Sequence, residues 1–490
     1  MRIEVGNMSG LKVLFGAGDY GKKALKYYGE ENIVFFVDND SSKSGKTLLG
    51  KAIKHFDAVR KALNDYDLVI TSSFYKEISR QLIENNITNF HIYHPIYTKQ
   101  MDQYCAILER KQVKSIYVYG KDYFSNTIVG TIYQRLGENC VKGIVEADDG
   151  IVSFFKDNAD CVIVGDCELA IALEQRLRRL MDGMNILIIN PFKQLAYYDY
   201  EELVYPTQIA DKNEGWDEEH WNTILEKNLY RNSINAYVEE AIKKVPLFEH
   251  IEIETINRCN GICEFCPVNA YDDSRTKKEM EEGLFHKIIH ELQEMDYHGR
   301  LALFSNNEPF LDKRIIEWNK YARVHLPNAR MHLFTNGTLL SLEKFIEIIP
   351  LLDELIIDNY TKDLHLLKNC EDIVDYCEKH AELKSKVTIV PRSPEEIRTT
   401  RGGDAPNRKD KKSFADIGCI YPFQQLIIRP DGKVSLCCND ALGRSTMGDV
   451  NEETLKDIWF GDRFQKIREQ LLKGRGTVDH CVYCDTFNLF

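Results

Sequence analysis

Cys259, Cys263 and Cys266 are separated by three and then two residues, a spacing that lets one short loop offer three thiolates to a metal group. Iron–sulfur cubanes are ordinarily held by four cysteines. Three therefore leave one iron open to a small molecule, whereas a zinc ion completed by one remote ligand would satisfy the same residues. A second set stands near the C-terminus: Cys419, Cys437, Cys481 and Cys484, with Cys438 alongside. Twelve residues separate Cys419 from Gly432 and four separate Gly432 from Cys437. Four thiolates in two arms suit zinc or a [4Fe–4S] cluster equally by number. The other six of the fourteen cysteines, at 105, 140, 161, 167, 370 and 377, are scattered and read as core or surface thiols.

The elements around these residues alternate from Leu247 onward between short apolar strands and amphipathic helices, the pattern of a parallel sheet. Strands are predicted over Ile251–Ile256, Leu301–Ser305, Met331–Thr335, Leu355–Asp358 and Val387–Val390. Helices are predicted near Lys278–Met295, Lys313–Tyr321, Leu342–Ile348 and Leu366–Glu378. Loops at strand C-terminal ends build the site in such folds. The first cysteine set follows strand one, Asn306-Asn307-Glu308-Pro309 follows strand two, and Thr335-Asn336-Gly337 closes strand three. Arg392 follows strand five, and the basic loop Arg398 to Asp404 can reach the barrel mouth. Within it Arg401 is the candidate substrate-side base or anion clamp, and a structural role fits it equally. Beyond Cys419, Leu426-Ile427-Ile428 and Lys433-Val434-Ser435 flank the turn Pro430-Asp431-Gly432 and form a hairpin. A single helix through Leu455, Trp459, Phe464 and Leu471 is expected between the two cysteine arms.

The first cysteine spacing, with Phe265 just before the last cysteine, resembles the signature of the radical S-adenosylmethionine (SAM) superfamily. The resemblance implies a [4Fe–4S] cluster on Cys259, Cys263 and Cys266 with SAM on its open iron. Phe265, Asn306, Asn307, Glu308, Asn336 and Arg392 would then bind SAM. Asn-Asn stands where the family's segment has Gly-Gly before Glu-Pro, and asparagine's tolerance of left-handed backbone angles would keep that turn. The Cys-x12-Gly-x4-Cys spacing resembles the opening of the SPASM domain. With six residues after Cys484, the shorter "twitch" form is expected, one auxiliary [4Fe–4S] cluster on Cys419, Cys437, Cys481 and Cys484. Five strands instead of six resemble the shortened core of aminocyclitol dehydrogenases in this group. The resemblance implies a 5'-deoxyadenosyl radical, hydrogen abstraction, and a flavodoxin- or ferredoxin-type electron donor. Four protein thiolates leave no iron for substrate, so the second cluster would accept an electron. Net oxidation, or epimerisation, of a sugar, cyclitol or nucleotide-linked glycan precursor follows. A maturase of ribosomal peptides is the alternative, and a non-enzymatic scaffold or cluster carrier a third reading.

The first two hundred residues carry a different pattern. Lys12–Phe15 leads into Gly16, Gly18 and Gly21 and then a helix, and the strand Ile33–Val37 ends at Asp38. Strand, glycine turn, helix, strand and terminal acid make a Rossmann-like start, in which Gly16, Gly18, Gly21 and Asp38 would face a nucleotide. Asp67–Thr71 and Phe90–Tyr93 continue it around a helix at Lys76–Asn86. A similar order recurs from Ser115, with a helix at Ser125–Leu136 and strands at 143–146, 160–164 and 186–190, an internal duplication holding only Gly120 in place of three glycines. The first copy, with Phe36-Val37-Asp38-Asn39-Asp40, resembles the sugar-nucleotide-binding module of bacterial sugar O-acyltransferases. The expected α/β organisation is thus duplicated Rossmann-like modules at 1–110 and 111–200, a solvated helical connector at 201–245, a partial (β/α) radical SAM barrel at 246–405 and a twitch/SPASM-like domain at 406–490. A net charge of -13 argues against nucleic-acid partners. No apolar run near the N-terminus suggests a signal peptide, and none elsewhere suggests membrane insertion, so a cytoplasmic enzyme is expected.

Overall fold

Lys12–Phe15 (β1) is buried along its whole length and pairs in parallel with Ile33–Asp38 (β2) on one side and Asp67–Ile70 (β5) on the other. The computed structural model describes residues 11–137, 139–148, 150–193, 229–271, 273–383, 386–396, 398–408 and 413–487. The chain divides into two compact units, Met1–Leu195 and Ala196–Phe490. In the first, β2 is flanked by Lys51–His55 (β4), itself paired antiparallel with Thr47–Leu48 (β3). Phe90–Ile92 (β6) completes the sheet order β3-β4-β2-β1-β5-β6. The chain builds outward from β1 and then returns to its other side, the switch point at which doubly wound sheets place ligands.

The second copy repeats this plan. Ile116–Tyr119 (β7), Val141–Val145 (β8), Cys161–Val164 (β9) and Leu187–Ile189 (β10) form a parallel sheet in the order β10-β9-β7-β8, with the same reversal beside its first strand. Two helices were not legible in the sequence, Pro95–Arg110 and Ile151–Asn158. The first starts on a proline, which reads locally as a turn but is tolerated at the first helical position. His94 Nδ1 accepts the Tyr97 N–H at 3.3 Å as its cap. Its residues Tyr97, Met101, Tyr104 and Leu108 enter one core with β1, β5, β7 and β9, so both sheets share a single apolar interior.

In the second unit the five predicted strands are present as His250–Ile253 (β11), Arg300–Ala302 (β12), Arg330–Thr335 (β13), Glu354–Tyr360 (β14) and Val387–Arg392 (β15). The expectation of five stops short. Gln425–Ile428 (β16), the first arm of the predicted hairpin, pairs in parallel with β11 as a sixth barrel strand, His250 opposite Gln425 and Ile253 opposite Ile428. Lys433–Ser435 (β17) and Thr446–Asp449 (β18) extend the sheet antiparallel, in the order β15-β14-β13-β12-β11-β16-β17-β18. Barrel and cluster hairpin are therefore one continuous sheet across the expected 405/406 boundary. Crossover helices lie at Glu282–Glu294, Ile315–His325, Leu342–Ile348 and Lys368–Lys379.

The single helix expected after Leu455 is two, Leu455–Phe460 and Asp462–Leu471. Gly461 breaks it with extended angles (φ -73°, ψ 167°), and a Cβ there would sit 2.5 Å from the Asp457 carbonyl oxygen. Of the connector, Leu229–Ala241 is helical and buries Ile234, Tyr237, Val238 and Ala241. The acidic run at Asp217-Glu218-Glu219 lies outside the described residues.

Candidate active site

β11 delivers the chain to the first cysteine loop, which its own backbone and three neighbouring loops fix in place. The Ala270 N–H donates to the Gly261 carbonyl and the Glu264 N–H to the Pro394 carbonyl after β15, both at 2.8 Å. Asn260 ties the loop to the end of β13, donating to Thr338 Oγ1 at 2.8 Å and accepting from Asn336 Nδ2 at 2.9 Å. The Gly261 N–H donates to Cys259 Sγ at 3.2 Å. A Cβ on Gly261 would lie 3.2 Å from Cys259 Sγ and 3.8 Å from Cys263 Sγ, so the glycine keeps the space between two thiols open. Burial pushes the Cys259 thiol up to about 12 against the Gly261 N–H, with Glu308 and Cys266 adding to the rise. Cys263 is likewise driven up by burial and then by Cys266 and Cys259. Three thiols crowding one another's charge around an open cradle suit a cationic iron–sulfur core, which would relieve that repulsion. Among the described residues no three His, Cys, Asp or Glu converge as ligands of a single ion; a cubane sets its thiolates farther apart than one ion with sulfurs at about 2.3 Å.

Glu308, predicted to meet SAM, is buried between the loops after β12 and β13. Oε1 accepts from Thr335 Oγ1 at 2.8 Å and from the Phe310 N–H at 3.1 Å, and Oε2 accepts the Asn336 N–H at 2.8 Å. Burial lifts its carboxyl to about 6 while these three donors hold it down. Glu308 thus clasps the two loops together, and only Oε2 keeps room for another donor. The Asn-Asn turn departs from expectation. Neither Asn306 nor Asn307 adopts a left-handed angle. Asn307 Oδ1 instead accepts the Ser305 N–H at 2.9 Å. Arg392, expected to face the SAM carboxylate, is held by Asp358 at 2.8 Å and Glu396 at 3.2 Å. Phe265 lies 5.8 Å from the Tyr360 ring, with the Arg398 guanidinium 5.3 Å over it.

Arg401 lies in the turn after Thr400, beside the loop that follows β12. It takes a left-handed angle (φ 52°), followed by Gly402 and Gly403 at φ 68° and 93°. A Cβ on Gly402 would meet the His480 ring at 2.6 Å, so this turn packs directly against the residue before Cys481. Thr400 fastens it further, its Oγ1 donating to the Tyr483 carbonyl at 2.6 Å and its N–H to Asp485 at 2.7 Å. Arg401 donates to Asn306 Oδ1, and Asn306 Nδ2 donates to the Cys438 carbonyl at 3.2 Å. Facing Arg401 is a residue that the sequence reading passed over. Glu252, in the middle of β11, is buried and accepts from Ser305 Oγ at 2.6 Å. Burial raises its carboxyl to about 7, opposed by Ser305, Arg401 and Arg300. The alternation Ile251-Glu252-Ile253-Glu254 looks like a strand with one wet face, but a barrel strand is covered on both. Glu254 shows the same effect, buried and matched by Arg275 at 2.9 Å.

The second cysteine set is enclosed. Cys419, Cys437, Cys481 and Cys484 are all buried. Burial first, and then Cys438, Cys481, Cys419 and Cys484, drive the Cys437 thiol up. Cys438 is less buried, and after burial itself the largest influence on it is Glu252, with Arg401 opposing. Cys437 and Cys438 both feel Cys419 and Cys484, and Cys438 feels Glu252 and Arg401 in addition.

In the first unit, Gly16 (φ 127°) lies so close to Thr71 that a Cβ would meet its carbonyl oxygen at 2.4 Å, and Gly21 is pressed equally on Gly16. Gly18 faces open space at the start of the helix Asp19–Tyr28. Asp38 Oδ2 accepts the Ala17 N–H at 2.9 Å and Lys43 Nζ at 3.0 Å, so this acid supports the glycine turn itself.

Comparison with known proteins agrees with this anatomy. Residues 253–369 match the radical SAM superfamily and residues 419–485 match SPASM, an iron–sulfur cluster-binding domain. The second unit holds a radical SAM domain followed by a SPASM domain, which imply SAM and [4Fe–4S] clusters as cofactors. Residues 11–93 match the C2185-like N-terminal family. A curated relative, the S-adenosyl-L-methionine-dependent 2-deoxy-scyllo-inosamine dehydrogenase of Niallia circulans, is 26% identical over 245 residues, 50% of this chain and 95% of that protein. The crystal structure of BtrN in complex with AdoMet and 2-DOIA aligns with a TM-score of 0.43 and 24% identity, over 50% of this chain and 98% of that one. Streptococcus suis SuiB bound to S-adenosylmethionine aligns with a TM-score of 0.30 and 13% identity, over 52% and 78%. Among the described residues no helix is long and apolar enough to cross a membrane.

Proposed function

We propose that the chain dehydrogenates a hydroxyl-bearing carbon of a cyclitol, sugar or nucleotide-linked sugar. The observation that carries this reading is the buried Glu252, which accepts from Ser305 and through Ser305 and Asn306 is linked to Arg401 and the Cys438 carbonyl. SAM on the first cluster would supply a hydrogen-abstracting 5'-deoxyadenosyl radical, and the second cluster a sink for one electron. The chain's own residues account for the rest. Cys259, Cys263 and Cys266 hold the first cluster, and Glu308, Asn336 and Phe265 shape the SAM side. Loss of a hydrogen atom, an electron and a hydroxyl proton turns an alcohol into a carbonyl. A carboxylate whose pKa lies near 7 is matched to accepting that proton at neutral pH. Arg401, permanently cationic, orients hydroxyl or phosphate oxygens. A dehydrogenase of an aminocyclitol among the relatives supports a polyol substrate.

The working setting is the cytoplasm, where thiols stay reduced, with a flavodoxin- or ferredoxin-type protein as electron donor. In the first unit the open face at Gly18, beside the β1 switch point, receives the nucleotide portion of a ligand. Because the two sheets there share one core, titration of nucleotide-sugars into residues 1–195 is the fitting test, and absence of heat removes that assignment. The enzymatic reading is tested by anaerobic reduction of the reconstituted chain with SAM and a panel of cyclitols and nucleotide-sugars. A product lighter by two hydrogens supports dehydrogenation; no 5'-deoxyadenosine with both clusters present refutes it.

A further inference from the structure

Two arginines of the SPASM region are completely buried, Arg468 and Arg475. They make an internal comparison, because their surroundings differ in one respect. Arg468 donates to the carbonyls of Pro422 at 2.9 Å and Trp459 at 2.7 Å, and its guanidinium lies 4.4 Å from the Trp459 ring and 5.0 Å from that of Phe464. Burial lowers its pKa to about 10, as expected of a cation taken out of water. Arg475 also donates to carbonyls, those of Gly418 at 3.0 Å, Cys484 at 2.8 Å and Thr486 at 2.7 Å, and lies 4.3 Å over the Phe487 ring. Two of these carbonyls belong to Cys484 itself and to the residue before Cys419, so the guanidinium lies against two of the four cysteines.

No ion pair joins Arg475 to a carboxylate among the described residues, and the carbonyls it holds adjoin Cys419 and belong to Cys484. A buried cation lacking a counterion is disfavoured, and the cysteine set whose backbone Arg475 holds is the source of counter-charge beside it. Backbone geometry places it there. Gly474 (φ 102°) passes so close to Ala415 that a Cβ would meet its carbonyl oxygen at 2.1 Å, and the Arg475 N–H then donates to the Ile417 carbonyl at 2.9 Å.

We propose that Arg475 is the built-in counter-charge of the auxiliary cluster and sets its reduction potential. The inference rests on the reading that Cys419, Cys437, Cys481 and Cys484 hold a [4Fe–4S] cluster. A cubane with four thiolates is a net anion and gains a further negative charge on reduction. A fixed cation touching its ligands stabilises the reduced form more than the oxidised one, and hydrogen bonds to cluster sulfurs act in the same direction. Arg475 therefore makes the auxiliary cluster a better electron acceptor. The balance is one electron from the substrate-derived carbon radical to the cluster, and one proton from its hydroxyl to Glu252, leaving a carbonyl. Its role is positional and electrostatic, since it need not touch substrate.

The test uses the full chain with Cys259, Cys263 and Cys266 replaced by Ala, so that only the auxiliary cluster is loaded, compared with Arg475→Lys and Arg475→Met in that background. Iron content is read first, then the potential by electron paramagnetic resonance titration, then thermal unfolding of loaded and cluster-free protein. Iron absent from the unmutated Arg475 background would refute the cluster assignment itself, and with it the proposal. The expected result is a potential shifted to more negative values in Arg475→Met and near the parent's in Arg475→Lys, with Arg475→Met destabilising the loaded protein and not the cluster-free one. An unchanged potential in Arg475→Met overturns the proposal, as does equal destabilisation of loaded and cluster-free forms, which is what a merely structural arginine would give. If Arg475→Met cannot retain iron, a cluster-free form as stable as the parent's supports the counter-charge role, and a weakened one contradicts it.

Discussion

Glu252 has its side chain inside the barrel, beside Ser305, Arg300, Arg401 and Cys438, with His250 Nε2 at 3.7 Å on the same strand. Its folded carboxyl keeps its proton up to about pH 7, while in the unfolded chain the proton leaves near the usual value of 4.5. The stability from that retained proton is therefore present below the unfolded value and lost as pH rises through about 7. For Glu252→Gln the expected outcome is a smaller loss of stability between about pH 5 and pH 8, by up to roughly 3 kcal/mol, read by denaturant unfolding of the cluster-free protein. In turnover the variant should lose the rise in rate near pH 7 and fall about a hundredfold in product formation, the usual scale of a missing general base. Cleavage of SAM should persist. Truncating Glu308 strands the Thr335 hydroxyl and the Asn336 and Phe310 N–H groups. Glu308→Ala should destabilise the chain by roughly 3 kcal/mol or more, at about 1–3 kcal/mol per buried unsatisfied group, measured by thermal unfolding, with weakened SAM binding. Residue types announced the cysteines and the loop acids. Nothing local announced Glu252, because its burial depends on strands brought from elsewhere in the chain.

Among the elements, most strands of both units were legible from their apolar runs, the polar β3, β4 and β18 excepted, and most helices between them from amphipathic spacing. What escaped was non-local or masked by a local cue. The helix Pro95–Arg110 was hidden by its opening proline, and the break at Gly461 by a helical period that resumes in phase on the far side. The sixth barrel strand was read only as a hairpin arm, since its partner β11 precedes it by more than a hundred and seventy residues. That pairing has a direct consequence. A fragment ending at residue 405 leaves the β11 edge without β16 and should not fold, whereas residues 229–490 should, as circular dichroism and thermal melting would report. In the same hairpin Cys437 and Cys438 both adjoin the other cysteines, Cys437 the more deeply buried and Cys438 also beside Glu252 and Arg401. Cys437→Ser is expected to lose about four irons per chain, and Cys438→Ser to keep them while impairing product formation; equal iron loss in both would reverse the assignment.

At the scale of the whole molecule the chain is two compact units, the second carrying both cysteine sets. Deleting residues 1–195 should leave reductive cleavage of SAM intact, measured as 5'-deoxyadenosine formed without substrate, because every residue assigned to that step lies beyond β11. If the first unit delivers a nucleotide-linked substrate, the deletion should raise KM for that substrate and not for a free cyclitol. The same division explains why function was readable in the second unit and barely in the first. Cysteine spacing is a chemical signal that survives without an alignment, whereas a glycine turn serves close packing at Gly16 and Gly21 as readily as a phosphate. The central claim, that one chain starts an oxidation at its first cysteine set and completes it at the second, is tested most directly with ring-deuterated cyclitols and nucleotide-sugars. Under anaerobic reduction with SAM, the account predicts deuterium in 5'-deoxyadenosine, matched one for one by a carbonyl product that has lost the deuterium and a proton. Unlabelled 5'-deoxyadenosine with no such product, from protein holding both clusters, would contradict it.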